Sequence, residues 1–401
     1  MPPPFPPHLR AAAQTLHRIF HEGGYADREV ARTLKSDKRY GSKDRARIAE
    51  LVYETVRYYR LYAHLAGREP LNENDWWLLL GVHLILQGEK LPDWREFTGL
   101  DPQGILQAHS TAEKIRPLRE SIPNWLDQLG QQQLAADWPA TLTALNETAP
   151  VVLRANRLNT TPKELTAALE TEGITVEPIA EDALRVTERK NLFRTKAFRA
   201  GLFELQDYSS QQAAPALEVE PGMTVVDACA GAGGKSLHLA ALMENKGRLL
   251  SLDIHGWKLK ELKKRARRAG VTNLEPRPIT STKVVKRLHG KADRVLLDVP
   301  CSGLGVLRRN PDAKWKLTPE SIDRVLAEQT KILTDYSKMV RTGGKLVYAT
   351  CSILPRENSD QVRQFLESEA GRGWTLEHEQ SFLPQRDGYD GFFVSRLART
   401  S

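Results

Sequence analysis

Cysteine is scarce: Cys229, Cys301 and Cys351 are the three in 401 residues, and no two form a C-x-x-C pair. So odd and widely spaced a set excludes a disulfide framework and a zinc knuckle, and it points to free thiols. No apolar run approaches the eighteen residues that a membrane helix needs, and the opening MPPPFPPHLRAA lacks the apolar centre of a secretion signal. Internal repeats and low-complexity tracts are missing as well. The expectation from these absences is a cytoplasmic protein with no metal and no membrane partner; a monomer is expected as well, on no sequence feature of its own. With 40% hydrophobic and 27% charged residues, the chain is long enough for two or three domains with sizeable cores.

Positive charge, by contrast, is plentiful. A net charge of +8 suits a polyanionic partner, because Lys and Arg that neutralise phosphates release counterions. A basic soluble enzyme is the plain alternative.

The chain divides by texture into three parts. Residues 1–145 read as helical: in DRARIAELVYETVRYYRLY, Ile48, Leu51, Val52, Val56 and Tyr59 recur at helical spacing, with Arg45, Arg47, Arg57 and Arg60 largely off that stripe. Trp76, Trp77, Trp94, Trp125 and Trp138 fall in this part and read mostly as packing anchors. Residues 146–206 mix short strands (VVLRANRLN, ITVEPI, ALRVTE) with a helix from Thr161 to Gly173, a small α+β domain. From 207 to 401 strands alternate with helices: TVVDA, GRLLSLD, ADRVLLD, KLVYAT and GFFVSRL are the strands, and GGKSLHLAALM and GWKLKELKKRARRAG are among the helices. Such alternation predicts an α/β, Rossmann-like, doubly wound and mainly parallel sheet, with ligands beyond the carboxyl ends of its strands.

After the first of these strands comes Asp227-Ala-Cys229-Ala230-Gly231-Ala232-Gly233-Gly234-Lys235-Ser236. A phosphate-binding P-loop needs Gly where Cys229 stands, and the dinucleotide fingerprint needs a final Gly where Ser236 stands, so both fail. An acidic strand end followed by alternating small residues remains, the arrangement of S-adenosylmethionine-binding methyltransferases. Asp253 ends the next strand, at the right distance to accept hydrogen bonds from ribose hydroxyls. Cys301 and Cys351 each follow a strand, in DVPC and ATCS, and the usual sheet order of such enzymes makes those strands neighbours, about 4.8 Å apart. Two thiols beside a methyl donor suit cytosine carbon 5, a poor nucleophile. A thiolate adding to carbon 6 makes the ring an enamine that can attack a methyl group, and a second thiol can assist removal of the carbon 5 proton. Asp298 is placed to hold the ring edge as charge develops. A redox disulfide between the thiols is the alternative use.

These motifs, with LLSLD, DRVLLDVPCSGLGVLRRNPDAKW, GGKLVYATCSILPRENSDQV and the final DGFFVSRL, resemble the RNA (cytosine-5) methyltransferases of the RsmB and Nop type. LRANRLN and FELQDYSS are similar to that family's small, RRM-like domain, and the N-terminal helices resemble a NusB-like RNA-binding domain. The resemblance implies S-adenosyl-L-methionine as cofactor and RNA, ribosomal RNA above all, as partner. It gives Cys351 the nucleophile's role and Cys301 that of assisting release, with Lys235 and Asp298 near the target base. It places Cys229, Ala230, Gly231, Ala232, Gly233, Gly234, Lys235, Asp253 and Asp298 around the cofactor. Two departures stand out. The turn reads Cys-Ala-Gly-Ala where Cys-Ala-Ala-Pro is usual, and the third strand ends in ITSTK where an Asp for the adenine amine is expected, leaving Thr280, Ser281 or Thr282 as a neutral substitute. Arg308 and Arg309, and Lys258, Lys260, Lys263, Lys264, Arg265, Arg267 and Arg268 on one helix, are candidate phosphate contacts, a solvated helix face being the plain alternative. Rival functions are a transfer RNA enzyme, a non-catalytic RNA-binding assembly factor, and a methyltransferase of protein or small molecules.

Overall fold

The computed structural model describes residues 5–188 and 190–400. It contains two compact units: one holds the chain up to Glu147 together with Leu307–Leu317, and the other holds Thr148–Val306 and Thr318–Ser401.

The first unit is helical. Helices Pro6–His21, Ala26–Ser36, Ser42–Arg57, Tyr59–Leu65 and Trp76–Leu86 supply its core. The long run read as one helix breaks at Tyr58, where ψ turns to 23°, and Ile48, Leu51, Val52 and Val56 form the buried stripe. Trp76 and Trp138 are fully enclosed. Arg57 is not on the outer side: it is buried, and its guanidinium donates to the carbonyls of Leu145 and Arg308. The last carbonyls of a helix lack partners within it, which explains why the end of the Trp138–Leu145 helix draws cations. Arg308 Nε donates to Ala144 O at 2.7 Å for the same reason, so Arg308 is a buried helix cap and not a phosphate contact. Leu307–Leu317 joins this unit further through Trp315 Nε1, which donates to Val56 O at 2.7 Å, and Asp312, which accepts from Ala26 N at 3.2 Å.

In the second unit, β1 (Val151–Ala155), β2 (Val176–Pro178), β3 (Ala183–Val186) and β4 (Phe203–Leu205) form an antiparallel sheet in the order β2-β3-β1-β4. The Pro162–Thr171 helix starts at a Thr161–Glu164 capping box and packs Leu165 and Leu169 onto this sheet. A seven-stranded sheet follows: β5 (Thr224–Asp227), β6 (Arg248–Asp253), β7 (Leu274–Pro278), β8 (Ala292–Asp298), β9 (Val340–Thr350), β10 (Trp374–Phe382) and β11 (Phe392–Arg399). Its order is β10-β11-β9-β8-β5-β6-β7, parallel from β7 to β9, with β11 and β10 added antiparallel. Val226, Leu250, Leu252, Val295, Leu297, Leu346 and Tyr348 fill one face, as expected of strands covered by helices.

The small sheet braces the larger one. Asn156 Nδ2 donates to Ala269 O at 2.8 Å, and Arg265 and Arg268 both reach the buried Glu204 carboxylate. Gly201 lies at φ +70°, and a Cβ there would meet Arg268 O at 1.9 Å, so this close approach requires glycine.

Candidate active site

β5, β8 and β9 are adjacent, so the loops leaving their carboxyl ends emerge side by side. The loop after β5 bends through Gly231 at φ +55° and Gly233 at φ +90°, where a Cβ would strike Leu262 Cγ at 2.6 Å. Three neighbours pin it. Asp253 Oδ2 accepts from Gly231 N at 2.9 Å, Arg265 Nη1 donates to Ala232 O at 2.9 Å, and Arg154 Nη1 donates to Gly234 O at 2.8 Å. Asp253 Oδ1 accepts from His255 N at 2.7 Å, so each of its oxygens holds one backbone N–H and keeps a lone pair.

A cavity of about 840 Å³ opens beside this loop. The residues read as cofactor contacts divide here. Cys229, Gly231, Asp253 and Asp298 line the cavity, while Ala230, Ala232, Gly233, Gly234 and Lys235 are not in its lining, the first four shaping the turn behind it. Thr280 is exposed and does not line the cavity, but Thr282 does. The cause is alternation past the end of β7: Ile279 N bonds to Asp253 O at 2.9 Å and Ile279 faces in, so Thr280 faces out, and Thr282 opens the helix that returns. Val285 of that helix and Ile332 and Tyr336 of the Pro319–Tyr336 helix complete an apolar wall that sequence reading did not identify.

At the other side of the loop, Lys235 Nζ meets Asp298 Oδ2 at 2.7 Å and lies 5.1 Å from the centre of the Phe392 ring. Cys301 Sγ and Cys351 Sγ are 3.3 Å apart, both partly exposed. A thiol hydrogen bond at that distance leaves two sulfurs able to touch one ring. The hydrogen bond to Cys351, then burial, push the Cys301 thiol far above the ordinary range, so Cys301 keeps its proton. Burial does the same to Cys229.

Over residues 214–398 the sequence matches the family described as 16S rRNA methyltransferase RsmB/F, and over residues 122–192 the ferredoxin-like domain of RsmF/B-like methyltransferases. A probable ribosomal RNA small subunit methyltransferase B of Synechocystis sp. is 35% identical over 298 residues, covering 70% of this chain and 67% of the relative. That of Bacillus subtilis is also 35% identical, over 318 residues, covering 74% and 71%. The chain belongs to the RsmB/F methyltransferase family. The crystal structure of PH0851 has the same fold, with a TM-score of 0.82 at 23% identity over 98% of this chain and 99% of the other. NSun6 from Pyrococcus horikoshii, solved with the S-adenosylmethionine analogue SFG, has a TM-score of 0.64 at 21% identity over 70% and 98%.

As an RsmB/F enzyme the protein uses S-adenosylmethionine, and its cavity suits that molecule. The lone pairs left on Asp253 suit ribose hydroxyls, and Ile254, Ile279, Val285 and Ile332 offer the apolar surface that a purine needs. Thr282 is the neutral polar group at the third strand's edge, where a hydroxyl bonds more weakly than a carboxylate.

Proposed function

We propose that this enzyme methylates carbon 5 of cytosine in small-subunit ribosomal RNA through a covalent adduct to Cys351. The observation carrying this reading is the 3.3 Å contact of two thiols at the ends of adjacent strands β8 and β9, beside the cavity that suits the cofactor. Ribosomal RNA is supported by the names of the RsmB/F relatives. We assign RNA binding to residues 1–145, support of the cofactor loop to 146–206 and catalysis to 207–401.

In this mechanism Cys351, whose Sγ lies 3.3 Å from that of Cys301, attacks as the thiolate nucleophile. Its sulfur bonds to carbon 6 of the unstacked base, and the ring electrons shift towards carbon 5. Asp298, oriented by Lys235, holds the ring edge while that charge develops. S-adenosylmethionine, which Asp253 and the apolar wall would hold, would supply the methyl group for carbon 5, its sulfonium becoming a neutral thioether. Cys301, partly exposed, gives its proton to solvent and, as the thiolate, accepts the proton from carbon 5 as the carbon 6–sulfur bond breaks, regenerating the Cys351 thiolate.

Cys351→Ala should abolish methyl transfer to ribosomal RNA, whereas Cys301→Ala should accumulate a protein–RNA adduct that survives denaturing electrophoresis. Full activity in Cys351→Ala would overturn the assignment, and mapping the methylated nucleotide tests the base.

A further inference from the structure

Ser302 and Ser352 directly follow the two cysteines, and one carboxylate holds both. Glu357 Oε1 accepts from Ser302 Oγ and Ser352 Oγ, each at 2.6 Å. Its Oε2 accepts from Ser302 N at 2.7 Å and from Gln329 Nε2 at 3.2 Å. The Glu357 side chain is fully buried, and among the described residues no cation pairs with it. A buried carboxylate without a cation is costly unless its lone pairs are filled, and here four donors fill them. The residues preceding the cysteines are held too. Gln329 Nε2 also donates to Pro300 O at 2.9 Å, and Thr350 Oγ1 bonds to Asn358, whose Nδ2 donates to Ser352 O at 3.1 Å.

We propose that Glu357 is a positioning residue that sets the spacing of Cys301 and Cys351 by clamping the residue after each. The proposal rests on the reading of these thiols as the reacting pair. Glu357 does not face the cavity and touches neither sulfur in the hydrogen-bond network; it acts through Ser302 and Ser352. Two groups that must act in turn on one ring need placement within about 0.5 Å, a tolerance that loops alone do not provide.

Replacement by glutamine tests the clamp without removing it. The amide oxygen can take the Ser302 N–H and Gln329 bonds, and the amide nitrogen can donate to two hydroxyls that rotate to accept. Alanine breaks all four bonds, and the Ser302→Ala/Ser352→Ala pair breaks only the hydroxyl ties.

The test follows disulfide closure in the full-length protein by diamide, a diazene that takes one hydrogen from each thiol and is reduced to a hydrazine. Cys301–Cys351-linked peptides are counted by mass spectrometry, alongside kcat and the KM for S-adenosylmethionine. Glu357→Gln should close at close to the wild-type rate. Glu357→Ala and the double serine variant should close about tenfold more slowly, and Glu357→Ala should lose about 100-fold in kcat with KM unchanged. Closure at the wild-type rate in Glu357→Ala overturns the proposal. If that variant does not melt cooperatively, wild-type closure in the serine pair overturns it instead. Slowed closure with wild-type methyl transfer would uphold the clamp and sink the reading of the thiols as the reacting pair.

Discussion

Asp227 ends β5 beneath the cofactor loop, fully buried, with Oδ2 accepting the Ser236 hydroxyl at 2.6 Å and Oδ1 without a partner among the described residues. Burial pushes its carboxyl up to about 7, against the opposing pull of Ser236. The unfolded chain releases this proton near pH 4, so between about pH 4 and pH 7 the folded state binds more protons than the unfolded one. Stability is therefore greatest below that window and falls as pH rises through it. Between pH 5 and pH 8 the loss from this one group is about 2–3 kcal/mol. Asp227→Asn removes the titration. Denaturant unfolding at the two pH values should show a smaller drop in the variant than in the wild type, and equal drops would show that Asp227 ionises normally. The placement of Cys301, Cys351, Asp253 and Asp298 at one edge of the sheet was legible in the sequence because each ends or closely follows a strand, and strand ends in a parallel sheet meet. Glu357 was not, because its partners at 302, 329 and 352 come together only in the folded chain.

Elements were legible where their apolar pattern was strong. β5, β6 and the closing halves of β8 and β9 (VLL and LVYA) are short, mostly apolar runs, the signature of strands covered on both faces. β10 was missed: WTLEHEQSF exposes most of its residues, has no period-two burial, and is a strand because β11 pairs with it at the sheet's edge. The basic helix Gly256–Ala269 shows a different limit, since composition cannot tell anchored cations from free-facing ones. Arg265 and Arg268 are tied to Glu204, and Lys258 lines the cavity, whereas Lys260, Lys263, Lys264 and Arg267 are exposed. Lys260, Lys264 and Arg267 share one face at i, i+4 and i+7, with the exposed Trp257 a turn before them. We expect this face to meet RNA phosphates. Changing the three cations to alanine should weaken RNA binding and reduce the slope of log affinity against log salt by about 2, read by fluorescence anisotropy at several salt concentrations. An unchanged slope would leave the face merely solvated.

At the scale of the molecule, chain order and spatial unit do not coincide. The chain leaves the catalytic unit after Val306, a few residues past Cys301, contributes Leu307–Leu317 to the helical unit, and returns at Thr318, which caps the helix that carries Gln329 and Tyr336. The sequence reading kept 207–401 together because nothing in GVLRRNPDAKW departs from an ordinary loop. Its value to the helical unit lies in single contacts: the Trp315 indole on Val56 O, Asp312 on Ala26 N, Arg308 on Ala144 O and Lys316 on Gly24 O. A fragment of residues 1–147 would leave Ala26 N and the carbonyls of Val56 and Ala144 without these partners and expose the apolar surface under Trp315, which packs against the core. Unmade buried hydrogen bonds cost about 1–3 kcal/mol each, a large share of a small domain's stability. The fragment should therefore melt at low temperature by circular dichroism. A peptide of residues 307–317 added in trans should raise that midpoint in a saturable way, as ligand binding to the folded state requires. A peptide with Trp315→Ala should raise it less, and a fragment indifferent to either peptide would show that the segment only rests on a unit already complete.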